Sequence, residues 1–352
     1  MSLVKRNKET QSIIDNAQQS EIEADLSIIN RKISTERVVS TGSTLLDLAI
    51  SGKVRVGGGV PGGIIVEIYG PSGSGKTAIL AELCASAQNL GGEALFVDPE
   101  ARLNQEYAKI YGISLEESQF DYKQPDTVTE LFNEIIFTWK PKNDKVINII
   151  ASDSLAALST KLEMEDEDKM GMRRAKEFSQ GLRKTCRIIM NNHWLVACTN
   201  QIRQGDGGET TPGGEAVKFY SSLRIRIGPS FKGSKIIKKT KVDGYAKEVE
   251  KVVGIVSNCK ITKSSVDDPF REVSIYILFG YGIDDIRGNL QYVKDMTGAS
   301  MYDCFTKEWK SMDNAIKYIE EGGLEQKLKE RVYEIWDKVE SSFVIQRKRK
   351  ER

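Results

Sequence analysis

At 352 residues, with 39% hydrophobic and 29% charged side chains, the chain can bury a sizeable core as one large domain with appendages or as two domains. Its 51 Lys+Arg and 50 Asp+Glu leave a formal charge of +1, so global charge argues neither for nor against nucleic acid, and any such signal must be local. Scattered cysteines without a CxxC pair, a polar N-terminus and the lack of a long apolar run point away from a zinc site, a disulfide framework, a signal peptide and a membrane partner, and toward the cytoplasm.

Residues 1–36 are polar, with Ile13, Ile14, Ala17, Ile22, Leu26 and Ile29 at loosely helical spacing that needs a partner surface. Ser40-Thr-Gly-Ser43 and the glycine-rich run 57–63 predict turns. A regular pattern follows. Strands are expected at 64–69, 94–97, 146–150 and 194–199, and helices at 77–90, 128–139 and 178–191. Short apolar strands alternating with helices predict an α/β fold with a parallel sheet covered on both faces. Runs at 219–227, 252–262 and 273–279 then predict antiparallel strands extending that sheet. The lysine-rich stretch 231–251 is expected to be an exposed excursion. Leu324, Leu328, Val332, Ile335, Trp336, Val339 and Phe343 form a helical stripe near the end of the chain. The last six residues, Arg347 to Arg352, are a basic tail.

Gly70-Pro71-Ser72-Gly73-Ser74-Gly75-Lys76-Thr77, followed by Ala78, matches G-x-x-x-x-G-K-[ST] at every fixed position and lies between a strand and a helix. Backbone N–H groups in such a turn close around phosphates, and the helix N-terminus adds positive potential. Lys76 would reach the β- and γ-phosphates of ATP and Thr77 would ligate Mg²⁺. Asp153, at a strand end, has two readings, a second Mg²⁺ carboxylate or the cap of the next helix; the upstream phosphate loop favours the metal. Glu100 ends another strand on the ligand-binding edge of the sheet, where a carboxylate can activate water or simply face solvent. Gln201 ends the fourth strand and opens a glycine-rich loop, so its amide can sense a γ-phosphate and couple it to a mobile segment. Residues 161–187 run from acidic to basic. Their Arg173, Arg174, Lys176 and Arg183 suit a phosphate backbone, or make a solvated helix face. His193 is assigned a structural role.

In this order and spacing the motifs resemble those of the bacterial-type RecA recombinases over roughly residues 38–290. The matching stretches are Ser40-Thr-Gly-Ser43, Val66-Glu-Ile-Tyr-Gly-Pro71, Asp98-Pro-Glu100, Asp153-Ser-Leu-Ala-Ala-Leu158, Asn200-Gln-Ile-Arg203, Glu209-Thr-Thr-Pro-Gly-Gly214 and, most specific of all, Ala216-Val-Lys-Phe-Tyr-Ser-Ser-Leu-Arg224. The resemblance implies a RecA-like P-loop ATPase core at 38–287, with a helical oligomerisation segment at 1–37, a small C-terminal α/β domain at 288–346 and a tail at 347–352. It also implies helical filaments on single-stranded DNA, with ATP between protomers, that pair and exchange strands with a homologous duplex.

Residue by residue, Glu100 resembles the water-activating glutamate, Tyr107 the aromatic that stacks on adenine and Gln201 the γ-phosphate sensor. Phe219, with Lys218 beside it, corresponds to the interface aromatic, and Phe279 to the aromatic that reaches the neighbour's nucleotide. Residues 163–172, including Met170 and Gly171, correspond to a first DNA loop. Residues 202–214, including Arg203, Gly213 and Gly214, correspond to a second. Lys263 falls on the first of two lysines that act in trans on the γ-phosphate. Ser265 falls on the second, which leaves Lys260 as a substitute cation or turnover low. The second loop lacks large apolar residues, and the tail is basic where the family's is usually acidic. Two other readings share the phosphate loop, a ring-forming helicase-like motor and an ATP-switched DNA-binding filament with little hydrolysis.

Overall fold

A computed structural model of the chain describes residues 37–52, 58–160, 172–205, 208–230, 234–243, 247–345 and 347. The expected helical segment at 1–37 lies almost wholly outside the described residues, as do most of the first DNA loop and the basic tail.

The elements run in chain order. A short strand pair, β1 (Val38–Val39) and β2 (Val60–Pro61), flanks α1 (Thr44–Ser51). β3 (Ile64–Gly70), α2 (Lys76–Asn89), β4 (Ala94–Val97), α3 (Gln105–Tyr111) and β5 (Phe120–Lys123) follow. Next come α4 (Val128–Glu130), β6 (Ile149–Ser152), α5 (Met172–Asn191) and β7 (Leu195–Gln201). The hairpin β8 (Arg203–Gly205) and β9 (Gly208–Thr210) leads to α6 (Gly214–Tyr220). The long strands β10 (Leu223–Pro229), β11 (Lys235–Lys241), β12 (Glu248–Ser264) and β13 (Glu272–Leu278) precede β14 (Gly282–Ile283). The chain closes with α7 (Asp285–Thr297), the pair β15 (Tyr302–Asp303) and β16 (Glu308–Trp309), α8 (Met312–Glu321) and α9 (Glu325–Ser342).

One ten-stranded sheet runs β14-β13-β12-β10-β3-β7-β6-β4-β5, with β11 added on β12. From β10 to β5 all neighbours are parallel, and from β10 outward they turn antiparallel. Alternation in β3 sends Val66 and Ile68 to one face and Ile65 to the other, so the sheet carries two cores. One core packs α1, α2 and the C-terminal helices. The second packs the helical segment 128–136 and α5 through Phe132, Phe178 and Leu182. Because α2 is covered on several sides, it is apolar nearly all round, with Ala78, Ile79, Leu80, Leu83 and Ala87 all buried.

Several expected bounds shift for local reasons. The third strand begins at Ile149 rather than Val146, because the buried Asn148 turns its side chain to bridge Glu93 N (2.7 Å) and Asn143 O (2.6 Å). Only three residues of the 128–139 helix are α-helical before a π-turn at Leu131–Ile136. Phe219 and Tyr220 close α6 rather than open a strand. The 231–251 excursion holds β11 and the start of β12. The boundary drawn at 287/288 falls inside α7. Phe343 lies beyond the end of α9 and is 78% exposed, so the buried stripe is Leu328, Val332 and Trp336. No described helix is long and apolar enough to cross a membrane.

Candidate active site

The strand tips gather the chemistry. β3 ends at Gly70, directly paired with Gln201 at the end of β7. A side chain cannot replace Gly70, since a Cβ there would sit 1.9 Å from the Ile227 carbonyl oxygen of β10. Gly75 takes φ 93° and N-caps α2 without a side-chain hydrogen bond, which leaves the first N–H groups of a 14-residue helix to an anion. Ser257 of β12 braces this turn by donating to the Ser74 carbonyl at 2.8 Å.

Lys76 is buried and curls back on its own loop, donating to Gly70 O (3.1 Å) and Pro71 O (2.7 Å). Burial holds its ammonium below the usual lysine range, against the pull of Asp153 and Glu100. Two loop carbonyls stand where a phosphate would serve an ammonium better. Thr77 Oγ1 donates to Asp153 Oδ2 at 2.6 Å, and Thr199 Oγ1 donates to Asp153 Oδ1. A hydroxyl beside an aspartate at the helix start is the donor set of a Mg²⁺–phosphate site, so these residues fit both ATP and the ion. Glu100 keeps its side chain only 15% exposed, accepting from Ser154 Oγ (2.8 Å) and pairing with Arg102. That leaves it oriented at the same sheet edge. Tyr107 sits half-buried on α3, its ring 4.9 Å from that of Tyr111, and burial raises its phenol above the ordinary range.

Behind these tips lies a buried polar chain. Asn200 Nδ2 donates to Glu67 Oε1 (2.9 Å) and to Pro212 O (2.9 Å). Glu67, wholly buried, accepts from Arg224 Nε at 2.6 Å, and the Arg224 guanidinium stacks 4.3 Å over the Tyr69 ring. The residue before Gln201 is thereby tied to the far end of the 202–214 segment. The sequence suggests a flexible loop for that segment; in the structure 203–205 and 208–210 pair as the β8–β9 hairpin. The hairpin is pinned by a two-point ion pair, Arg226 Nε to Glu209 Oε2 (2.8 Å) and Nη2 to Oε1 (2.6 Å), which holds the Glu209 carboxyl below its usual range.

The other expected residues lie apart from this cluster. Met170 and Gly171 are outside the described residues. Arg173, Lys176 and Arg183 are exposed along α5, with Arg174 partly covered, and α5 packs on α6. Arg203 is exposed on the hairpin, whereas Gly213 is buried at φ 88° with Val217 and Phe178 against it. Phe219 (75% exposed) and Phe279 (60% exposed) stand open at the surface. Lys263 donates to the carbonyls of Lys218 and Phe219, both at 2.8 Å, and so caps α6, while Lys218 pairs with Glu215 at 2.6 Å. Ser265 donates to Ser222 O (3.1 Å), and Lys260 lies 3.7 Å from Glu272. The Glu67–Arg224 and Glu209–Arg226 pairs were not among the sequence candidates. A glutamate inside the apolar run Ile64-Ile-Val-Glu-Ile-Tyr69 was the available signal for the first, since a buried carboxylate needs a partner.

The RecA N-terminal domain family model matches residues 16–284. The chain is 37% identical over 261 residues to Protein RecA of Cereibacter sphaeroides, covering 72% of this chain and 69% of that protein. Protein RecA of Methylococcus capsulatus is 37% identical over 257 residues (70% and 66% covered), and that of Allorhizobium ampelinum 36% over 261 (72% and 66%).

Proposed function

Since the chain belongs to the RecA family, we propose that it is an ATP-dependent DNA recombinase. On this reading it forms filaments on single-stranded DNA and exchanges strands with a homologous duplex. The observation that carries the reading is the buried Pro212–Asn200–Glu67–Arg224 chain beside Gln201. A simple ATP-binding turn has no use for it, whereas a switch that couples phosphate to a DNA loop does.

ATP lies in the Gly70–Thr77 turn, and Lys76 leaves the Gly70 and Pro71 carbonyls to meet the phosphates. Thr77 and Asp153 would hold Mg²⁺, which would supply neutralisation of phosphate charge. Glu100, oriented by Ser154 and Arg102, positions the attacking water and takes its proton. Tyr107 stacks against the adenine. Gln201 senses the γ-phosphate, and its neighbour Asn200 passes the change to the 202–214 segment, which sets the position of the exposed Arg203 against DNA. A neighbouring protomer supplies Lys263 and Phe279, and Phe219 reads nucleotide state across the contact. Lys263 meets the phosphate by giving up its hold on the end of α6, which links subunit docking to the position of Phe219.

The test is Lys76→Ala with ATP and single-stranded DNA under the electron microscope. Nucleotide-dependent helical filaments are expected from the wild type and none from the variant. Closed rings, or filaments that persist in the variant, overturn the reading.

A further inference from the structure

The lysine-rich stretch builds something more definite than an excursion. Among the described residues only β11 pairs with the first residues of β12, because β13 begins its pairing at Gly254. Residues 237–241 and 248–252 therefore form a two-stranded ribbon, exposed at 239–243 and 247–251 and rooted where Phe279 N donates to Val253 O at 2.8 Å. A bare two-stranded ribbon is marginal in water.

Its two faces differ in charge. On one, Lys239 pairs with Glu250 (3.0 Å) and Lys241 stands opposite Glu248, so that face neutralises itself. On the other, Lys238 stands directly opposite Lys251, with Thr240 and the half-exposed Val249 beside them and no carboxylate in register. Like charges directly opposite destabilise a strand pair. Lysines on an edge strand such as β11 also discourage sheet-to-sheet pairing. Edge protection would be served equally well by either face, and it gives no reason for two lysines standing directly opposite each other.

We propose that the Lys238–Lys251 face of this ribbon is a binding surface for the phosphate backbone of duplex DNA. The major groove of a duplex admits a two-stranded β-ribbon, and the phosphates on its walls supply the charge that this face lacks. The proposal rests on the DNA-binding reading above, but the surface is separate from the nucleotide site and from the 202–214 hairpin.

The test uses the full chain without nucleotide, a short labelled duplex and anisotropy between 50 and 200 mM salt. Each lost phosphate contact lowers the log–log salt slope by about 0.9. Lys238→Gln/Lys251→Gln should therefore lower it by about 1.8, so that wild-type affinity falls about 12-fold more than the variant's across that range. Lys239→Gln, on the self-neutralised face, should leave the slope unchanged. An unaltered slope in the double variant, an equal change in Lys239→Gln, or stronger competition by polyglutamate than by unlabelled duplex at equal charge overturns the proposal. ATP-dependent binding to single-stranded DNA, measured in parallel, should be the same in the double variant as in wild type. Its absence from the wild type would refute the filament reading while the duplex slopes still decide the ribbon.

Discussion

Burial gives single residues their chemistry here. Asp47 is 4% exposed and accepts from Ser40 Oγ (2.5 Å), Thr41 N (2.7 Å) and Thr41 Oγ1 (2.7 Å). Burial outweighs these hydrogen bonds and pushes its carboxyl up to about 7. Glu82 on α2 is likewise raised to about 7 by burial, opposed by the Ile283 backbone and reinforced by Asp285 and Asp47. Lys329 lies 3.3 Å from Asp285 beside this group. An acid raised in the folded state retains its proton where the unfolded chain has lost it. Its contribution to stability therefore declines as pH rises from about 4 to about 7, and then levels off. The slope from each such group is at most about 1.4 kcal/mol per pH unit. Asp47→Asn/Glu82→Gln should accordingly flatten the fall in melting temperature between pH 5 and 7.5, whatever its effect on the absolute value. A wild-type slope retained in the double variant would contradict this.

At the scale of elements, α6 runs from the buried end of the 202–214 segment to the surface. Gly213 starts it, Lys263 caps its end, and it exposes Phe219, whose ring meets Tyr220 edge-on at 5.1 Å. An aromatic that is 75% exposed contributes little to the monomer, so Phe219→Ala should change folding stability by no more than about 0.5 kcal/mol in chemical denaturation. The same variant should form shorter filaments, with less cooperative ATP-dependent assembly on single-stranded DNA. Normal assembly would remove Phe219 from the interface, and a large loss of stability would make it a packing residue.

The whole molecule is organised by its sheet, and the C-terminal helices are part of the core on one face. Leu328, Val332 and Trp336 join the same buried cluster as α1 and α2. Asp285 accepts from Thr44 N and Oγ1, both at 2.7 Å, and Arg271 pairs with Glu340 of α9. Leu328→Ala should therefore cost about 2–5 kcal/mol and lower a single cooperative unfolding transition. Two transitions, with the upper one unmoved, would show that 288–346 folds as a separate domain.

The sequence by itself determined the phosphate turn, the strand-tip carboxylates, the parallel core and its antiparallel extension. Each rests on local spacing or on an apolar run, which the chain carries wherever it folds. The same logic misplaced Phe219 and Tyr220 in a strand, because the apolar run from 219 to 227 does not show where a helix stops; capping by Lys263, 44 residues from Phe219, accompanies that end in the structure. Only the tertiary structure joined Glu67 to Asn200 and Arg224, pinned Glu209 to Arg226, and set Lys238 opposite Lys251 on one face of a ribbon. Those pairings depend on strand order and register, which arise when distant segments dock and which no local pattern encodes.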